Sequence, residues 1–291
     1  MAIVNGLRRL AACCAAGTVL AVTGWSTAQA TEPCGDFGEC MVLIEVNSTD
    51  GDIGFHWLGD ADGLRSMRID DPTGAKVFEN GAFGPLRDQK LTETFGESSE
   101  PLCWPDPEAD PEDLEDIVTL RDFRERWEPG TYVFTGKGDG GEKLAGETAL
   151  TYDLPAAPQM LDFNGTTISW MPGNDLGNCA PLEGGMGRES IAALVYDNII
   201  TDPALVPVAA YEVVLEPDVE DGDPVGSLKF SIRVPGDIDI TSVTVPADYL
   251  ASLPEDTPVK IEVGAIGLDD NATFTEADGF CVNEVEGCED D

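Results

Sequence analysis

One histidine, His56, is all the imidazole in a chain of 291 residues that carries 56 acids and 16 bases. That count limits the chemistry at once. A serine or cysteine nucleophile needs a general base, and His56 would have to serve alone, with no Gly-x-Ser-x-Gly elbow in the sequence. A His-Glu-x-x-His metal site cannot be built from one histidine. Lying in Gly54-Phe55-His56-Trp57, it reads as a structural or surface histidine on a strand. Carboxylate pairs of the glycosidase kind carry no weight where acids are this abundant. No catalytic residues are assigned, and the chain reads as non-enzymatic.

Cofactor motifs fare no better. Gly136-Lys137-Gly138-Asp139-Gly140-Gly141 is a literal Gly-x-Gly-x-x-Gly, but residues 143–154 read as a strand. Without a helix N-terminus a pyrophosphate has no amide cradle, so the run is a hairpin turn. Asp60-Ala61-Asp62-Gly63 and Asp218-Val219-Glu220-Asp221-Gly222-Asp223 read as oxygen-rich loops. Leu64 and Arg65 break the spacing of a calcium loop in the first, and both read as solvated acids, with calcium the alternative. No Cys-x-x-Cys pair is present, so structural zinc is not expected.

The formal charge of −40 excludes nucleic acid, whose phosphates must be met by Lys and Arg, and disfavours an anionic membrane surface. Self-repulsion on that scale suits saline surroundings, where salt screens it. Apolar residues make up 42%, enough for packed cores.

Residues 1–30 have the order of a secretory signal: Arg8 and Arg9, an apolar run over 10–24, then Ala28-Gln29-Ala30 for cleavage. Leu10-Ala11-Ala12-Cys13 matches a lipidation box, but the apolar run follows Cys13 instead of preceding it. Cleavage after Ala30 removes two arginines and takes the formal charge from −40 to −42. The product is expected in the periplasm, at the cell surface or outside the cell. It keeps Cys34, Cys40, Cys103, Cys179, Cys281 and Cys288, an even set that reads as disulfides in an exported chain. Short separations favour Cys34–Cys40 and Cys281–Cys288, leaving Cys103–Cys179 to cross between halves. Sequence alone does not choose among the pairings.

Positioning elements are mostly strands. In the first half, runs at 40–46, 53–57, 64–69, 90–95, 131–135 and 145–154 are separated by turns such as Asp50-Gly51-Asp52 and Asp62-Gly63. One helix is predicted near 111–127, capped by Asp110 and started by Pro111, with Leu114, Ile117, Leu120, Phe123 and Trp127 as its stripe. The expected fold class is all-β: two β-sandwich domains, 31–155, which resembles an immunoglobulin-like sandwich with a helical insertion, and 156–291, joined at Pro155-Ala156-Ala157-Pro158.

In the second half, Ile168-Ser169-Trp170-Met171-Pro172-Gly173, the strand run opened by Tyr211, residues 230–235 and 241–246, Leu253-Pro254 and residues 259–265 form an ordered set. This set resembles the fibronectin type III family over roughly 156–283, with Trp170 on the second strand and Tyr211 beginning the third. The resemblance implies a seven-stranded sandwich with a binding or spacer role and no catalytic residues. The family's corner tyrosine is absent, with Pro258-Val259 in its place, and residues 174–206 are a long insertion.

Trp57, Trp127 and Trp170 are expected in cores. Trp104, in Leu102-Cys103-Trp104-Pro105, lies outside regular elements and reads as packed on a disulfide or exposed to a partner. The insertion, carrying Met186 and Tyr196, is the expected contact surface, deletable without unfolding the sandwich. The sequence thus points to an exported binding, adhesion or structural protein with a protein or carbohydrate ligand. The alternatives are a carboxylate-based hydrolase or accessory module acting on polysaccharide, and a calcium-dependent binder.

Overall fold

The computed structural model describes residues 34–104, 117–185, 187–220, 222–236 and 240–288. The signal segment, Asp110, Pro111, Leu114 and Met186 lie outside them. Among the described residues the chain is all-β, as its alternation predicts.

Ten strands form one sheet. Its main path runs β10 (Phe230–Pro235), β9 (Val208–Pro217), β12 (Thr257–Gly267), β13 (Ala272–Val282), β1 (Glu39–Asn47), β2 (Asp52–Asp70), β5 (Gly130–Gly138) and β6 (Lys143–Leu150). β3 (Lys76–Gly81) and β4 (Leu91–Glu97) add to β2. A second sheet holds β11 (Ser242–Thr244), β8 (Thr167–Met171) and β7 (Gln159–Phe163). β1 and β13 pair in parallel, with Glu45 opposite Ala272, so chain from both sides of residue 155 shares one sheet without a break.

Alternation decides which face is covered. In β1, Cys40, Val42, Ile44 and Val46 point inward while Met41, Leu43, Glu45 and Asn47 point out, the period-two pattern of a half-buried strand. β12 repeats it, with Val259, Ile261, Val263 and Ala265 inside and Lys260 and Glu262 outside. The small sheet packs Phe163, Ile168, Trp170 and Val243 against the inner residues of β9 and β12. The Trp170 and Tyr211 rings lie 5.3 Å apart between centroids. β9 begins three residues before Tyr211, at Val208, rather than at the tyrosine.

The other cluster is covered by α2 (Leu120–Arg126), α3 (Ile191–Tyr196) and the chain around them. Two further short helices, α1 (Gly84–Gln89) and α4 (Ala247–Leu250), link strands. Of the helix expected near 111–127, residues 111–116 lie outside the described residues, 117–119 are not helical, and α2 begins at Leu120. Thr119 is its N-cap and accepts the Asp122 N–H at 3.2 Å, leaving Ile117 before the first turn. Leu120 and Phe123 are buried, and Trp127 stacks on Phe55 with centroids 4.0 Å apart.

Two expectations change here. Asp62-Gly63 is no turn: β2 runs straight through, with a bulge where register shifts between Asp60 and Leu64 and Gly63 at φ +98°. The Asp60–Gly63 acids are therefore strand residues instead of a loop. Residues 174–206 are no free loop either. Leu176, Cys179, Ala180, Ile191, Leu194 and Ile200 are buried in the same cluster as Ile44, Phe55 and Phe134, because apolar side chains recur along the segment and find the open face of the first half. Gly136–Gly141 spans the end of β5 and the turn into β6, where Gly141 N–H donates to Gly138 O at 3.0 Å.

Candidate functional site

The uncovered face of the large sheet is where polar chemistry gathers. Register pairs Glu45 with Gly54 and Leu43 with His56, which places Glu45 and His56 diagonally on that face. Residues after β4 stay along β2: Ser98 N–H donates to Phe55 O at 2.8 Å and Ile53 N–H to Pro101 O at 3.2 Å. Ser98 Oγ also accepts the Phe55 N–H at 3.0 Å. This path carries Glu100 over Gly54, where its Oε1 lies 3.3 Å from His56 Nε2.

Gly54 is required for that approach. A Cβ there would come 2.7 Å from Glu100 Oε1 and 2.9 Å from His56 Nε2, below contact distance. Among the described residues Glu45, His56 and Glu100 form the one group that brings three potential metal-ligating atoms within 4.8 Å of one another. His56 is buried, with its side chain 9% exposed, whereas Glu100 is 42% exposed.

The electrostatics follow from burial and crowding. Burial pushes Glu45 above the usual carboxylate range; His56 pulls it back, while Glu100, Glu212 and Glu97 push further. Burial pulls His56 down, but its hydrogen bond to Glu100 and the fields of Glu45, Glu100 and Glu97 outweigh it and leave the imidazole above its ordinary value. Asp52 is pushed up to about 7 by burial, then by Glu100, Asp50 and Glu276. Glu262 reaches about 7 through burial and its neighbour Glu276. Further along the face the acids are paired: Glu216 lies 3.2 Å from both Lys229 and Lys260, and Glu212 lies 2.7 Å from Arg233.

The residues singled out in the sequence lie elsewhere. Trp104 is half-buried beside Cys103, with the Arg188 guanidinium 3.4 Å above its ring and Nε1 buried without a hydrogen-bond partner among the described residues. Arg188 is held by donating from Nη1 to Asn178 Oδ1 at 3.1 Å. Tyr196 ends α3 and is 90% exposed. The three disulfides join Cys34–Cys40, Cys103–Cys179 and Cys281–Cys288, with Cα separations of 5.5, 5.1 and 5.7 Å. In the Asp218–Asp223 segment, Asp223 Oδ1 accepts the Val225 N–H at 2.9 Å and caps a turn, while Asp221 lies outside the described residues.

Sequence reasoning passed over Glu45, Glu97 and Glu100 because nothing in their spacing separates them from the other acids. It also passed over Phe83, Leu86 and Phe95, exposed apolar side chains around β3, α1 and β4. Phe95 stands beside the site, 6.1 Å from His56 between ring centroids.

What fold and site define together is a disulfide-bonded, two-sheet all-β chain with one acidic face. No protein-family model and no curated protein matches it. Solved structures similar to it include a tetra-tandem repeat from the extending region of a large adhesion protein, at 12% identity and TM-score 0.25, aligned over 84% of this chain and 49% of that one. A biofilm-associated protein BSP domain aligns at 11% identity and TM-score 0.21, over 87% of this chain and 30% of that one. A bacterial ice-binding adhesin involved in host cell surface retention aligns at 12% identity and TM-score 0.21, over 85% and 65%. This chain thus spans less than two thirds of each of those structures, and at such TM-scores the likeness carries no argument.

Proposed function

We propose that this is an exported, non-enzymatic binding or adhesion protein that works at the cell surface or outside the cell. The observation that carries the reading is the scaffold with its exposed side chains: a disulfide-bonded chain with a ten-stranded sheet that leaves Phe95 at 60% exposure beside His56 and Phe83 at 79% exposure just after β3. Exposed aromatics on a rigid scaffold are the usual anchors of a binding surface. The order of residues 1–30 and the even cysteine set support export. The acidity favours a protein or carbohydrate ligand that is neutral or basic over a nucleic acid or anionic lipid.

The immunoglobulin-like and fibronectin type III-like assignments of 31–155 and 156–291 belong to this reading. Two apolar clusters support it, one built mainly from 31–155 but also taking in Leu176 to Ile200, the other wholly from 156–291, with Trp170 buried on β8, 3% exposed. The test is immobilised protein of residues 31–291 presented to glycan and protein arrays. Retention that falls at least tenfold in Phe83→Ser/Phe95→Ser supports the proposal, and retention untouched by that double variant overturns this surface.

A carboxylate-based hydrolase is the second reading. One observation favours it: Glu45 and Glu100 bring carboxylate oxygens within 4.8 Å, close to the roughly 5–5.5 Å of a retaining carboxyl pair. Two hollows lie elsewhere, beside Arg124 and Pro129. Release of reducing ends from polysaccharide, abolished in Glu45→Gln, would replace the binding reading with this one.

A further inference from the structure

We infer that Glu45, His56 and Glu100 form a binding site for a divalent transition-metal ion of the zinc class, held by His56 Nε2 and one oxygen from each carboxylate. The inference is separate from the adhesion reading and stands or falls without it.

Geometry comes first. Ligands about 2.0–2.1 Å from a tetrahedral zinc ion lie roughly 3.4 Å from one another. His56 Nε2 and Glu100 Oε1 are already 3.3 Å apart, and all three donors fall within 4.8 Å. The wider separations all involve Glu45, so closing the set needs its carboxylate to turn toward the His56–Glu100 pair, with the Glu100 side chain, 42% exposed, able to follow.

The sheet holds the backbones of the other two donors. Glu45 and His56 stand on adjacent strands in fixed register, and the ring is nine-tenths buried. Its one side-chain hydrogen bond among the described residues goes to Glu100, itself a donor of the set. The half-buried Glu45 carboxylate makes no hydrogen bond and no ion pair among the described residues, although Glu212, whose field reaches it, is paired with Arg233. A carboxylate that is partly withdrawn from water without a partner carries a cost, and a bound cation reduces it.

Gly54 lets the donors gather. It has no side chain where a Cβ would meet both Glu100 Oε1 and His56 Nε2, so the two can meet over its backbone. Glu97 stands opposite His56 on β4 and adds negative potential without entering the donor set. An imidazole donor favours zinc-like ions over calcium, which prefers oxygen ligands alone. Three protein ligands leave the remaining position to water.

The test is calorimetric titration of residues 31–291, freed of metal by chelator, with zinc chloride near neutral pH and calcium chloride as competitor. One site is expected that tenfold excess calcium does not displace. His56→Gln and Glu100→Gln should each weaken it by about tenfold or more, the loss seen even for outer partners of metal ligands. Glu216→Gln, on the same face but outside the set, should leave it unchanged. Zinc should also raise the melting temperature of the wild type and not that of His56→Gln. Should His56→Gln fail to fold, the exposed Glu100 decides alone. No zinc binding, equal displacement by calcium, or affinity unaltered in Glu100→Gln would overturn the inference.

Discussion

Asn271 Oδ1 accepts the Ile44 N–H at 2.8 Å, across 227 positions of sequence, inside the core. Its amide nitrogen donates to Thr151 Oγ1 at 3.0 Å and to Thr151 O at 3.3 Å. One side chain, 1% exposed, thus ties β1, the turn before β13 and the segment after β6. It sits where the parallel β1–β13 pair begins, the seam through which both halves of the chain enter one sheet.

Asn271→Ala leaves the Ile44 N–H buried and unanswered. An unsatisfied buried donor costs about 1–3 kcal/mol, and the lost Thr151 bonds add to it. Urea denaturation should show a loss of about 2–4 kcal/mol. A loss below about 0.5 kcal/mol would mean that water replaces the amide and the seam does not depend on it.

How much of this was legible beforehand varies with position. β1 and β12 declare themselves by alternation, and the pairs Glu45 with Gly54 and Leu43 with His56 follow once a hairpin joins β1 to β2. β13 does not declare itself. It lies between β12 and β1, and Thr273, at 0% exposure, stands where a hydrophobic residue would have marked a strand. Glu100 is a tertiary arrival: only the backbone bonds of residues 98–101 to β2 bring it over Gly54, and no local pattern encodes them. The late start of α2 is different, since Thr119 with Asp122 three residues on was a readable capping signal.

Cys103 and Cys179 are bridged across 76 positions, beside the stacked Trp104 and Arg188. In the chain-entropy account a closed loop of this length is worth about 4 kcal/mol. Cys103→Ala/Cys179→Ala should lose about 3–4 kcal/mol by equilibrium denaturation, with peptide mapping of the wild type under non-reducing conditions locating the bridge. Two free thiols at these positions would reject it.

Glu262 gives a pH dependence with a definite sign. Folding raises its carboxyl to about 7 from an ordinary 4.5, chiefly by burial and then by Glu276, with Lys229 opposing and Glu45 and Glu216 adding. The folded chain therefore holds a proton that the unfolded chain lacks between those values. Stability from this group is complete below the unfolded value and is lost as pH rises through 7. Glu262→Gln should stabilise the protein by about 1–2 kcal/mol near pH 8, after discounting for solvent, and should flatten the fall between about pH 5 and 8. Unchanged stability near pH 8 would place the carboxylate in full solvent contact.

A formal charge of −40 on the whole chain, most of it on exposed acids, must repel itself. Melting temperature should climb from low salt to about 1 M sodium chloride as screening shortens the interaction range to about 3 Å. A flat or falling profile would show that the ion pairs of Lys260, Arg233 and Arg121, which salt weakens, outweigh the repulsion.

The α3 segment separates a structural side from a free one. Leu194 is 0% exposed and packs into the cluster of Ile44 and Phe55, while Tyr196, two positions on, is 90% exposed. Leu194→Ala empties core volume and should cost about 2–5 kcal/mol. Deleting residues 174–206 removes six buried side chains of that cluster, the disulfide-bonded Cys179 among them, so the truncated protein should fail to give a cooperative melt. Tyr196→Ser should stay within about 0.5 kcal/mol of wild type, as surface changes do. Contact made through this segment would then appear as lost retention in Tyr196→Ser at unchanged melting temperature. A deletion variant that melts cooperatively near the wild-type temperature would return the segment to the status of a free loop, and a Tyr196→Ser variant that unfolds would place the ring in the core.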